Sequence, residues 1–329
     1  MSTKPICAGP IGYGLMGLTW RAHQTVDEQA FAAMKAAVNR GATFWSSADF
    51  YGPPSDPLAN VKLVRRYFER YPEDADKVTL YVKGCFEPAR HAPNGSREFT
   101  RKSVETVLEV LNGVKTIDLF GPGRIDKQVP LSETLGELKS LIDAGKIGGV
   151  GLSEVSASTI RAAHTVVPVR VVEVEFSLWS AEILHNGVAD TCRDLGVPIA
   201  AYSPLGRGFL TGELRRLEDV PAGDVRLRFE RFRPENFSKN LDLVDKLQEF
   251  AKKEGVTAAQ LALAWIRSHA DTCGLVIPIP GATTAQRVEE NTKAVELTPE
   301  QKAKLDEILA SFTVVGHRYT PQMEGMLWG

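Results

Sequence analysis

Cysteine is scarce and scattered in this chain. Cys7, Cys85, Cys192 and Cys273 form no C-x-x-C pair, so neither a disulfide framework nor a thiolate zinc site is expected and all four read as reduced thiols. The histidines, His23, His91, His164, His185, His269 and His317, show no metal-ligand spacing, so no metal is expected. Long apolar runs are missing too. No window approaches the roughly 18 to 20 consecutive apolar residues of a membrane span, and MSTKPICAGP lacks the apolar stretch of a signal peptide. A cytoplasmic location is expected, with the nucleus left open. Charge of one sign is also absent: 39 Lys and Arg against 41 Asp and Glu leave a net charge of −2. With no basic block to neutralise phosphates, nucleic acid and membrane are discounted as partners.

What is present is a globular composition, 43% hydrophobic and 24% charged over 329 residues, which excludes disorder, collagen and coiled coil as the main class. Such a chain can bury a full core without staples. Short β-rich runs alternate with helical patterns along it, the mark of βαβ units and a parallel sheet. ICAGPIGYGLMG reads as a short N-terminal hairpin running into a first strand. Strands then follow at about 43–48, 78–84, 116–120, 147–153, 170–176, 198–203 and 274–280, with helical spacing between them. Asp27 is placed to cap the first helix and Gly41 to end it.

Eight strands in this rhythm predict a single (β/α)₈ TIM barrel over 1–329. Its long charged segment, about 204–237, is expected to act as a lid. The tail, about 312–329, could fold over the barrel mouth or fray. An open dinucleotide-binding sheet is the runner-up. Gly12-Tyr13-Gly14-Leu15-Met16-Gly17 matches G-x-G-x-x-G, but no helix opens at Gly17 as that motif requires.

Barrel chemistry gathers at the C-terminal ends of the strands. Tyr51 follows strand two, Lys83 ends strand three, Ser153 and Glu154 follow strand five, Tyr202 ends strand seven and Gly281 follows strand eight. Lys83 is conspicuous, because an ammonium inside an apolar strand is costly to bury. A phenol beside a lysine makes a proton donor, since a nearby positive charge lowers the tyrosine pKa from about 10.

FWSSADFYG, LYVKG, VGLSE, AYSPLGRG and PIPGATTAQRVEEN, in this order and spacing, resemble the aldo-keto reductases over nearly the whole chain. The resemblance implies a barrel that binds NADPH/NADP+ without a Rossmann fold and reduces a carbonyl. It further implies Tyr51 as proton donor with Lys83 as its partner, Tyr202 stacked on the nicotinamide and Ser153 bonded to the carboxamide. Ser203, Leu205 and Asn291 join the cofactor set. Gly281, Thr283, Thr284 and Arg287 would hold the adenosine 2′-phosphate, which a helix N-terminus also favours.

Several positions depart from the pattern. The family's aspartate is Ser46, its histidine is Gly123, and its carboxamide-binding asparagine and glutamine are Glu154 and Glu173. Asp49 and Arg124 are candidates to compensate, Arg124 competing with a rim salt bridge to Asp126. Trp20, Trp45, Gly123 and Arg124 are the expected substrate pocket, Gly123 leaving room for a substituted pyridine ring. Within the family, GPIGYGLMGLTWR, DLF-x-x-x-R-x-D and IPIPGATT look like the fungal pyridoxal reductases. The resemblance thus implies a small aldehyde substrate, pyridoxal, reduced to pyridoxine. A general carbonyl reductase and a low-activity NADPH-binding regulatory relative are the alternatives. Oligomeric state is not legible in the sequence.

Overall fold

The computed structural model describes residues 6, 8–21, 23–293 and 295–329. Cys7 lies outside them, and Cys85, Cys192 and Cys273 are free and buried. Eight strands pair in parallel in chain order: β1 Tyr13–Gly14, β2 Phe44–Ala48, β3 Thr79–Gly84, β4 Leu119–Pro122, β5 Val150–Ser153, β6 Val169–Glu175, β7 Ile199–Tyr202 and β8 Val276–Pro278. A bridge between Gly14 and Gly281, with the Gly12 N–H donating to the Pro278 carbonyl at 2.8 Å, joins first to last and closes the barrel. Helices Asp27–Asn39, Ala59–Arg70, Arg97–Leu111, Leu131–Asp143, Ala157–Val166, Val188–Leu195 and Ala258–Arg267 intervene between successive strands. No helix among the described residues is long and apolar enough to cross a membrane.

Two-residue periodicity sorts the strand side chains. Phe44, Tyr81, Leu119, Val171, Ala200, Ile277 and Ile279 fill the barrel interior. Phe44, Leu119, Val171, Ile277 and Ile279 each contribute about 1.5–3 kcal/mol by leaving water. The alternate residues face the helices, where Trp45 stacks on Phe68. Gly151 has to be glycine, because a Cβ there would lie 2.6 Å from the Tyr81 ring.

The expected N-terminal hairpin is not formed among the described residues. Gly9 donates to the Gly41 carbonyl at 3.1 Å and Tyr13 pairs with Trp45, so this segment lies along the barrel instead. A Cβ on Gly9 would come within 2.3 Å of that carbonyl, an approach only glycine permits. The antiparallel hairpin appears after β3, between Phe86–Glu87 and Ala92–Pro93. Asp27 is the first helical residue rather than the cap, and its carboxylate takes Arg66 at 2.6 Å.

The segment 204–237 is built largely from short 3₁₀ turns; its two ends pack into the core through Phe209, Phe229, Phe232 and Phe237, while most of 213–228 is exposed or half-exposed. Phe209 stacks on Trp179 with centroids 4.4 Å apart. The tail folds over the mouth: the Gly329 N–H donates to the Glu154 carbonyl at 3.1 Å and Lys127 Nζ to the Gly325 carbonyl at 2.9 Å.

Candidate active site

Strand pairing brings the singled-out side chains together at the C-terminal end of the barrel. On β3, the period that turns Tyr81 inward turns Lys83 inward as well, one step nearer the mouth. Ala48 lies opposite Lys83, and the Asp49 N–H donates to the Lys83 carbonyl at 2.9 Å, so the loop carrying Tyr51 leaves the sheet beside the lysine. A buried polar chain anchors that loop. Ser47 Oγ donates to Asn60 Oδ1 (2.7 Å), the Asn60 amide to the Leu15 carbonyl (2.9 Å) and Thr19 Oγ1 (2.7 Å), and Thr19 Oγ1 to the Tyr51 carbonyl (2.7 Å). A buried network with its donors satisfied favours one geometry.

Phe50 and Trp20 flank Tyr51 with ring centroids 5.3 and 5.7 Å away, and Trp20 is 44% exposed at the rim. Trp45 is a correction to the expected pocket. Strand alternation turns it outward, where it packs on Tyr67 and Phe68 with Nε1 donating to the Ala42 carbonyl at 2.9 Å. At Gly123 a Cβ would lie 2.8 Å from Phe50 Cζ, so the Phe50 ring packs directly against this glycine.

Lys83 Nζ donates to Ser46 Oγ at 2.6 Å and pairs with Glu173 at 2.8 Å from Oε1 and 2.9 Å from Oε2. Ser46 Oγ in turn donates to Glu173 Oε2 at 2.7 Å. Glu173, expected at the carboxamide, thus spends both oxygens on Lys83 and Ser46. The ammonium lies 5.2 Å from the Tyr51 ring centroid and 5.1 Å from that of Tyr81. Burial pushes Lys83 below its ordinary pKa, with Glu173 opposing. Burial and then the Glu173 charge hold the Tyr51 phenol well above the usual tyrosine range, while Arg124 pulls it down. The expected acidifying effect of Lys83 is therefore outweighed by burial and by the Glu173 carboxylate.

Asp49 does not reach Lys83 by its side chain. Its carboxylate accepts from the Ser103 hydroxyl, and burial pushes its pKa up to about 7. Arg124 makes no ion pair with Asp126, whose carboxylate accepts from the Gly95 and Gln128 N–H groups at 3.0 and 2.9 Å. Arg124 Nη1 instead donates to the Gly123 carbonyl at 2.6 Å and to Ser153 Oγ at 3.5 Å. No carboxylate lies within 4.0 Å of it among the described residues.

The β5–β7 side is organised by the tail. Glu154 Oε1 accepts from the Glu175 N–H at 2.9 Å, and Oε2 lies 3.1 Å from Arg318 Nη2. Glu175 is shared by Arg207 at 3.3 Å and Arg318 at 3.6 Å. Tyr202 and Tyr319 share a hydrogen bond of 2.8 Å between hydroxyls, with the Arg207 guanidinium 4.6 Å from the Tyr319 ring. Arg207, Arg318 and Tyr319 were not singled out from the sequence. AYSPLGRG contains the first, but nothing periodic marks the tail. Glu154 and Ser203 take left-handed backbone (φ 52° and 47°) just beyond their strands. Such strain is held by surrounding structure and gathers at functional sites.

At the far side of the mouth, Thr284 caps helix Ala285–Thr292 by accepting from the Arg287 N–H at 3.3 Å. Thr283 and Thr284 are half-exposed, Leu205 and Asn291 are buried, and Gly281 pairs with Gly14. Arg287 pairs with Glu290 at 2.9 Å and with Glu213 of the long loop, its side chain 43% exposed. This donor set of hydroxyls, first-turn amides and an accessible guanidinium fits a phosphate.

The chain matches the model of the aldo/keto reductase family over residues 10–310. It is 42% identical over 325 residues to a protein of Schizosaccharomyces pombe named probable pyridoxal reductase 2, covering 97% of both chains. A Saccharomyces cerevisiae protein named putative pyridoxal reductase is 38% identical over 332 residues, covering 94% of this chain and 95% of its own. Among solved structures, the glycerol dehydrogenase of Gluconobacter oxydans superposes with a TM-score of 0.80 at 23% identity, covering 98% of this chain and 99% of that one. At that identity the likeness speaks for the barrel alone.

Proposed function

The chain belongs to the aldo/keto reductase family and is an oxidoreductase acting on carbonyl and alcohol groups, and we propose that it reduces pyridoxal to pyridoxine with NADPH in the cytoplasm. The observation that carries this reading is the placement of Tyr51 beside a fully buried Lys83 at the barrel mouth. Similarity to the two relatives named as pyridoxal reductases, matched over nearly their whole length, supports the choice of substrate.

Tyr51 gives its proton to the aldehyde oxygen, forming the new O–H bond. NADPH, when bound, supplies the hydride. Lys83, seated under the Tyr51 ring, steadies the negative charge that the phenol takes on, which a buried ammonium does better than a solvated one. Trp20 and Phe50 keep water from the reacting oxygen. Thr283, Thr284 and Arg287 would hold the 2′-phosphate, and Ser153 and Tyr202 the nicotinamide end. Arg124, with no carboxylate within 4.0 Å among the described residues, follows Gly123, which stands where the family has its histidine. It serves the hydroxyl that the pyridoxal ring carries ortho to the aldehyde.

The experiment is NADPH oxidation against an aldehyde panel containing pyridoxal, salicylaldehyde and its para isomer. Pyridoxal should be converted to pyridoxine, and salicylaldehyde should show the higher kcat/KM of the two isomers. Tight NADPH binding without turnover of any aldehyde would favour the regulatory alternative, and equal rates for the isomers would remove the ring hydroxyl from recognition.

A further inference from the structure

The pattern that the sequence resembles has an aspartate on β2 and a glutamine on β6, and this chain has Ser46 and Glu173 in those places. Taken singly, each looks like a loss. In the barrel the two positions face one another. β2 and β6 lie on opposite walls, and Glu173 reaches across the lumen to Lys83 on β3 and Ser46 on β2. The hydroxyl at Ser46 leaves space for the longer glutamate to enter, and it closes the triangle by accepting from Lys83 and donating to Glu173. Ser46, Lys83 and Glu173 are 3%, 2% and 3% exposed. The ammonium spends its donors on Ser46 and Glu173, so it has one position rather than several.

We propose that Glu173 is the positioning carboxylate for Lys83, acting from β6 in place of the aspartate missing from β2. Ser46 and Glu173 are then one exchange, the carboxylate having moved across the barrel while the lysine stayed. The proposal rests on the reading of Tyr51 and Lys83 as the chemical pair. It takes Glu173 out of the cofactor set. It also accounts for Asp49, which is spent on Ser103 and leaves the lysine to Glu173.

The test is a cycle of Glu173→Gln, Ser46→Asp and the double variant, read beside Tyr51→Phe. Each is measured for thermal melting, NADPH affinity by fluorescence quenching, kcat and KM for pyridoxal, and the pH profile of kcat/KM. Glu173→Gln should lower kcat on the order of 10²-fold, near the low end for a disabled acid–base group. KM and NADPH affinity should hold within a factor of about two to three, and the profile should move. Ser46→Asp/Glu173→Gln restores one carboxylate for one ammonium, so it should fold and recover most of kcat.

A Glu173→Gln protein with wild-type kcat and pH profile, while Tyr51→Phe is inactive, overturns the proposal and leaves the functional reading intact. So does a double variant that melts like wild type yet is no faster than Glu173→Gln, since a carboxylate serving only to hold the fold would not be rescued in this way. If Glu173→Gln fails to fold, the double variant decides alone: active supports, folded and inactive overturns. Wild-type turnover in Tyr51→Phe removes the functional reading itself.

Discussion

Glu173 and Glu154 both stand where the family pattern has an amide, and both end in buried ion pairs, but their partners come from different parts of the chain. Glu173 is held by side chains of barrel strands, Lys83 and Ser46. Glu154 is held by Arg318, far along the chain in the tail. The first pair is set by strand register and exists whenever the barrel is closed. The second exists only while the tail is docked. One mouth is thus built in two ways, with the proposed chemical pair on the rigid side and the tail-dependent carboxylates on the side expected to meet the nicotinamide.

The largest expected effect isolates the barrel side. Tyr51→Phe should cut pyridoxal reduction by ~10² to 10⁴ while binding NADPH normally. Single-turnover rates equal to wild type would break the assignment. Arg318→Ala tests the tail side. It leaves Glu154 buried without its cation, and breaking a buried pair costs about 3–5 kcal/mol, read as a lower urea midpoint at unchanged slope. Unchanged stability would mean that the tail does not hold this half of the mouth together.

Arg287→Ala is smaller and lies outside both pairs. NADPH affinity should fall about tenfold, the size of one contact to a charged group, with NADH nearly unaffected. An equal loss for both would show that Arg287 does not read the 2′-phosphate. Subtlest is Asp49, whose carboxyl is raised from 3.8 to about 7 by burial. Between those values the folded state keeps a proton that the unfolded chain has lost. Its stabilising contribution is therefore full below 3.8 and disappears as pH climbs through about 7. Asp49→Asn should flatten the fall in stability across that window. A variant with the wild-type slope would assign the pH dependence elsewhere.

Much of the barrel side was legible in advance. β2, β3 and β6 were placed within a residue or so, because a strand buried on both faces leaves a strong local pattern. Tyr51 and Lys83 followed from being at strand ends. Trp45 was misplaced for a reason the same pattern contains: Phe44 and Ser46 face inward, so Trp45 cannot. The N-terminal hairpin was misread because glycines that permit a close backbone approach resemble glycines that permit a turn. Gly123 read as open space, and the Phe50 ring from the neighbouring loop packs against it, a contact the sequence does not record.

By itself the sequence determined the alternation of strand and helix, the barrel and the inward-facing lysine beside a tyrosine, since each depends on periodicity and on residues near one another in the chain. Which carboxylate serves Lys83 was decided only by closing the barrel, for β2 and β6 meet across the lumen and nowhere else. The seating of Arg318 and Tyr319 over Glu154 and Tyr202 was decided later still, by docking a tail with no periodic pattern onto the finished mouth. Local patterns record which way a side chain faces; its partner depends on what the rest of the chain places opposite.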